Sequence, residues 1–136
     1  MTAKELLKRI VKLRKAIDYR QTKIKILEAE CERTTAQITG MPHGQSNGNS
    51  KMESAVCKKL DLEREIDSIE TERDALIAQI DLIDDEDLSK LLSLRYEHEE
   101  PWDDIMAEMG YSEAHIFRLH QQALKLLDAA LKDESK

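Results

Sequence analysis

An apolar residue returns every seven positions at Ile10, Ile17, Ile24, Cys31 and Ile38, with Leu6, Leu13 and Leu27 on a companion row that Arg20 and Thr34 interrupt. Such a 3–4 alternation draws a narrow seam along one side of a helix, the pattern of helix-on-helix packing. Lys, Arg and Glu fill the remaining positions, and neither Gly nor Pro occurs before Gly40. A continuous helix of roughly 55 Å is therefore expected, at about 1.5 Å per residue. A second seam follows at Met52, Ala55, Leu62, Ile66, Ile69, Leu76, Ile80 and Ile83, with Lys59 and Arg73 as polar interruptions. Residues 40–50 hold three of the four glycines and read as a connector. Two matched seams joined by a short loop fold back as an antiparallel hairpin. A turn about residue ~45 would bring Arg20 close to Glu70. Two helices bury little surface, so self-association through the hairpin, or docking of the C-terminal region onto it, is expected.

Composition narrows the class further. The 136 residues carry 36% charged side chains, 4% aromatic ones, four Gly and two Pro, which opposes a turn-rich β fold. No apolar run approaches the ~20 residues of a membrane span. The N-terminus lacks the apolar stretch of a secretory signal. Cys31 and Cys57 supply no disulfide or zinc framework and suit a reducing cytoplasm. The expectation is an all-α protein, cytoplasmic and without a membrane partner.

Charge is divided along the chain. Residues 1–39 hold ten Lys/Arg against five Asp/Glu, whereas residues 84–136 hold six against fourteen. The acidic run Asp84-Asp85-Glu86-Asp87 suits the start of a helix, where carboxylates oppose the dipole; equally, the second helix could run through it. The expected organisation is a helical hairpin over 1–83, with its connector at 40–50, followed by a separate domain over 84–136.

The most informative stretch is 101–127. Pro101 is tolerated in a first helical turn, and a short helix from Trp102 would bury Ile105 and Met109. Gly110 can close that helix with a positive φ. Ser112 is a good N-cap, and Tyr111 is placed to staple onto Ile116. Ile116, Leu119, Ala123 and Leu127 then line the inner face of the last helix. Short helix, glycine turn, Ser cap and second amphipathic helix together spell a helix-turn-helix.

Leu91 to Leu127 resembles the promoter-reading C-terminal helix-turn-helix domain of bacterial sigma factors. Over nearly the whole chain, the sequence is similar to small phage and prophage regulators of Gram-positive bacteria, of the ArpU/RinA type. The residues that carry this are Gly40-Met41-Pro42-His43-Gly44, Arg95-Tyr96, Pro101-Trp102, Ile105, Gly110-Tyr111-Ser112, Arg118-Leu119-His120 and Ala123-Leu124. The resemblance implies transcriptional regulation of late phage genes, double-stranded DNA as ligand, and host RNA polymerase as a candidate partner.

In such a motif the second helix enters the major groove with its N-terminal residues towards base edges. Its outward positions would be Ser112, Glu113, Ala114, His115, Phe117, Arg118, Gln121, Gln122 and Lys125. Arg118 can pair with guanine and a Gln with adenine, while Ser112 and Lys125 can reach phosphates. Glu113 can accept from cytosine, and Phe117 can touch a thymine methyl. The acidity of 84–136 works against phosphate binding. It favours a rival reading, in which the hairpin is an adaptor that binds polymerase or another regulator without reading DNA. His115 and His120 are five residues apart and off a common helix face, so no metal site is expected. No nucleophile–base pair and no phosphate-cradling glycine loop is visible, so neither an enzyme nor a cofactor is expected.

Overall fold

The computed structural model describes residues 1–40 and 46–134, with side chains defined outside 34–51 and 134. Among these residues the chain is all-α. The helices are α1 (Ala3–Gly40), α2 (Ser46–Ile80), α3 (Glu86–Leu92), α4 (Trp102–Met109) and α5 (Glu113–Glu134), with a π-helical turn at Ser93–Glu97 after α3. Helical backbone covers Gly40 and Ser46–Ser50, leaving only residues 41–45 of the expected connector between helices. Those five residues, His43 among them, and the side chain of Ile38 lie outside the described region.

Packing sorts the chain into two units, one of residues 1–14 and 71–136, the other of residues 15–70. The first unit is not confined to the C-terminal sequence. Ala3, Leu6, Leu7 and Ile10 of α1 are buried with Ile80 and Ile83, with Leu88 and Leu92 of α3, and with Ala123 and Leu127 of α5. A second apolar cluster joins Leu91, Leu94, Ile105 and Ile116, flanked by Trp102, Met106, Met109, Tyr111 and Leu119. Leu119 touches both clusters, so α5 is the common wall.

Local chemistry fixes the ends of these helices. Thr2 and Glu5 form a reciprocal capping box: the Glu5 N–H donates to Thr2 Oγ1 at 3.2 Å, and the Thr2 N–H donates to Glu5 Oε2 at 3.3 Å. The adjacent Ala3 N–H donates to Asp128 Oδ1 on α5, satisfying another first-turn donor and tying the two helices. Helix α2 stops at Ile80, and α3 starts anew with Asp85 as N-cap, accepting from Asp87 and Leu88 N–H. The acidic run is therefore a helix start, with Glu86 and Asp87 in the first turn, where the dipole favours them.

In the second unit α1 and α2 pack antiparallel. Arg20 Nε donates to Glu65 Oε2 at 2.9 Å, and Lys59 Nζ meets Glu28 Oε1 at 3.0 Å. Arg20 thus pairs with Glu65 and not with Glu70. The register of α2 against α1 therefore differs by five residues from the expected one. Ile17, Ala55 and Ile66 are buried, whereas Ile24, Leu27, Cys31, Leu62 and Ile69 stay half-exposed, as two helices cannot enclose a seam from every side.

Leu6 is fully buried in the first unit, so Leu6→Ala should destabilise it by about 2–5 kcal/mol. Trp102 is the single tryptophan and packs in this unit, so urea unfolding followed by its fluorescence measures the loss directly. A change within error would mean that the first turns of α1 do not belong to this core.

Candidate nucleic-acid interface

The α4–α5 turn is set by three residues. Gly110 closes α4 at φ 74°, ψ 28°, and its N–H donates to Met106 O at 2.9 Å. The left-handed step lets the Tyr111 N–H also reach Met106 O at 3.3 Å, satisfying a terminal carbonyl. Ser112 then starts α5: its Oγ accepts from the His115 N–H at 3.4 Å and its carbonyl accepts from the Ile116 N–H at 2.9 Å. Tyr111 and Ile116 share the second apolar cluster, as a hydrophobic staple requires. Pro101 lies one position before α4, with its carbonyl accepting the Ile105 N–H.

Behind this turn an aromatic and cationic cluster fixes the orientation of α5. The Arg95 guanidinium lies 4.6 Å from the Trp102 ring centre, and its Nη1 donates to Glu100 O at 3.0 Å. Trp102 meets Phe117 edge-on at 5.3 Å and His120 edge-on at 5.2 Å. His120 Nε2 shares a 2.8 Å hydrogen bond with the Tyr96 hydroxyl, and the two rings stack at 5.9 Å. Burial, with a smaller contribution from Arg95, holds the His120 pKa below its ordinary value. Burial also raises the Tyr96 pKa, against an opposing effect of Arg95. Both rings are thereby held neutral near pH 7.

The π-helical turn delivers Arg95 and Tyr96 to this cluster. Ser93 Oγ bonds Glu97 Oε2 at 2.7 Å, His98 N–H donates to Ser93 O at 3.0 Å, and Arg73 Nη2 donates to Glu97 O at 2.8 Å. Glu99 follows at φ 55°, a conformation rare for a residue with a side chain. It reverses the chain into Glu100 and Pro101. Desolvation, then the neighbouring Glu108 and Asp104, raises the Glu100 pKa.

The anticipated contact residues fall into two groups. Ser112, Glu113, Phe117, Arg118, Gln121, Gln122 and Lys125 are exposed. Phe117 keeps 41% exposure while leaning on Trp102. His115 is only half-exposed, because its ring packs edge-on against Tyr111 at 4.6 Å. His120 is a packing residue. Sequence reasoning quoted Arg95 only as part of the Arg95-Tyr96 resemblance and not as an organiser of this surface; its role follows from its contacts with Trp102 and Glu100.

The geometry defines an all-α protein in which a helical hairpin accompanies a compact helical domain. Residues 54–128 match DUF1492, a phage-associated family of proteins of unknown function, and the chain belongs to it. The matched segment contains α3, α4 and most of α5 but none of Ala3, Leu6, Leu7 or Ile10, which complete their core. No curated protein and no solved structure matches the chain significantly.

At Gly110 nothing lies within 4 Å of where a Cβ would be, so the cost of a side chain is conformational alone. Gly110→Ala should destabilise the domain by about 1–2 kcal/mol, read from denaturant unfolding, with Gly110→Asn closer to wild type. Equal stability for all three would refute the left-handed turn. A second expectation concerns pH. The folded His120 pKa lies below 6.5, so between 6.5 and the lowered value the unfolded chain binds the proton and the folded one does not. Stability should therefore fall as pH drops through that window, and His120→Gln should flatten that part of the profile. Parallel profiles for the two proteins would show that His120 is not buried neutral.

Proposed function

We propose that the chain is a phage or prophage transcriptional regulator, acting in the cytoplasm, that binds double-stranded DNA sequence-specifically through a helix-turn-helix formed by α4 and α5. The observation that carries this reading is the exposed row Arg118, Gln121, Gln122 and Lys125 on α5, directly after a tight glycine turn and a Ser cap. Neither Arg118 nor Lys125 makes an ion pair among the described residues, which leaves both cations available to a ligand. Arg118 would pair with a guanine edge, the glutamines with adenine, and Ser112 and Lys125 with phosphates. Glu113 and Phe117 would select by acceptance from cytosine and by contact with a thymine methyl.

The acidity of 84–136 is less of an obstacle than its sum implies. Asp85 caps α3, Asp128 accepts from the start of α1, Glu97 is bonded to Ser93, and Asp103 and Asp104 sit in the first turn of α4. From Ser112 to Lys125 the chain carries two cations and one carboxylate. Few phosphates would be neutralised, so affinity would be modest and its salt dependence shallow. Host RNA polymerase is a natural second partner for such a regulator, and late gene expression its natural target.

Enrichment of fragments of the encoding genome by the purified protein, at near-physiological salt, tests the reading. The expected result is a reproducible peak upstream of an operon, with Arg118→Ala losing roughly 1–3 kcal/mol of site discrimination. Absence of any peak with folded protein would overturn DNA reading and favour the rival, a hairpin adaptor for polymerase or another regulator.

A further inference from the structure

The unit of residues 15–70 has more apolar surface than one helix pair can cover. Beyond its seam, Tyr19 and Ile26 of α1 stand 59% and 52% exposed. They are seven residues apart, hence on one face two turns apart, with Lys23 between them. Lys23 Nζ lies 4.5 Å over the Tyr19 ring. Across from them on α2, Leu62 faces the same side. Ile26, Leu27 and Leu62 line an open cavity of about 350 Å³, rimmed by Lys23, Lys58 and Asp61. Leu27 and Leu62 belong to the seam as well, so the seam is wet on this flank.

We propose that this flank is covered by the same flank of a second copy of the chain, forming a two-fold, four-helix contact. Two features select a copy over another partner. First, a pair of helices is one layer, and a stable helical core needs a second layer with the same apolar pattern; an identical flank supplies it. Second, the α2 side of the rim, Lys58 and Asp61, is self-complementary in charge. Lys58 and Asp61 are three residues apart on one face of α2, so a two-fold axis between the copies can set Lys58 of each against Asp61 of the other. The opposite flank does not share this pattern: Val56 and Leu60 of α2 are exposed there, outside the cavity.

The contact is independent of the DNA reading, although a dimer would suit a paired operator. Sedimentation of the full chain over a concentration series, with helicity followed by circular dichroism, tests it. Wild type is expected to sediment as a dimer. Ile26→Glu and Tyr19→Glu, at exposed helical positions, should raise the dissociation constant at least tenfold without loss of helicity, and Leu60→Glu should not. Lys58→Asp and Asp61→Lys should each weaken the dimer, and the double variant should restore it. A wild-type monomer, or a dimer indifferent to Ile26→Glu, would overturn the proposal; failure of DNA enrichment would leave these readouts unaffected.

Discussion

The structure depends on the burial of the first three turns of α1 against α5 and α3. Ala3, Leu6, Leu7 and Ile10 have little or no exposure, and their partners Leu88, Leu92, Ala123 and Leu127 are equally enclosed. Without them, α3, α4 and α5 would form a short three-helix arrangement of too few residues to bury a sufficient core. The capping box at Thr2 and Glu5, and the carboxylate of Asp128 on Ala3, satisfy donors that would otherwise be lost in that contact. The start of the hairpin is thus also a structural part of the helical domain.

A second constraint acts from the other side of α5. The π-helical turn, the positive φ of Glu99 and the break at Pro101 place Arg95 over Trp102. Trp102 in turn braces Phe117 and His120, one helix turn apart on α5. Cation–π and edge-to-face contacts are each modest, but they are directional. They fix the rotation of α5 and hence the residues it exposes. The candidate surface is presented by a helix locked on two faces, one apolar and one aromatic.

Much of this was legible in the sequence. Seven-residue periodicity predicted both long helices. Gly110, Ser112 and the Tyr111–Ile116 spacing predicted the α4–α5 turn, since each answers a local backbone requirement that any surroundings would impose. Asp85 as a helix start was one of two readings, and its carboxylate geometry decides between them. Other features were not legible. His115 sits on a nominally outward position, yet Tyr111, four positions earlier and just before the Ser112 cap, packs edge-on against it. Arg20 pairs with Glu65 and not Glu70 because a seven-residue repeat specifies which faces of α1 and α2 meet but not their register along the axis.

What the sequence alone determined was helix, helix ends and apolar faces, because these follow from periodicity and from donors and acceptors within a few residues of one another. Tertiary structure decided which faces meet. Leu6 and Ile10 lie on the same seven-residue rows as Leu27 and Ile24, and nothing local distinguishes them. They diverge because α3 and α5 pack on the first turns of α1 and remove Leu6 and Ile10 wholly from water, while Ile24 and Leu27 stay half-exposed.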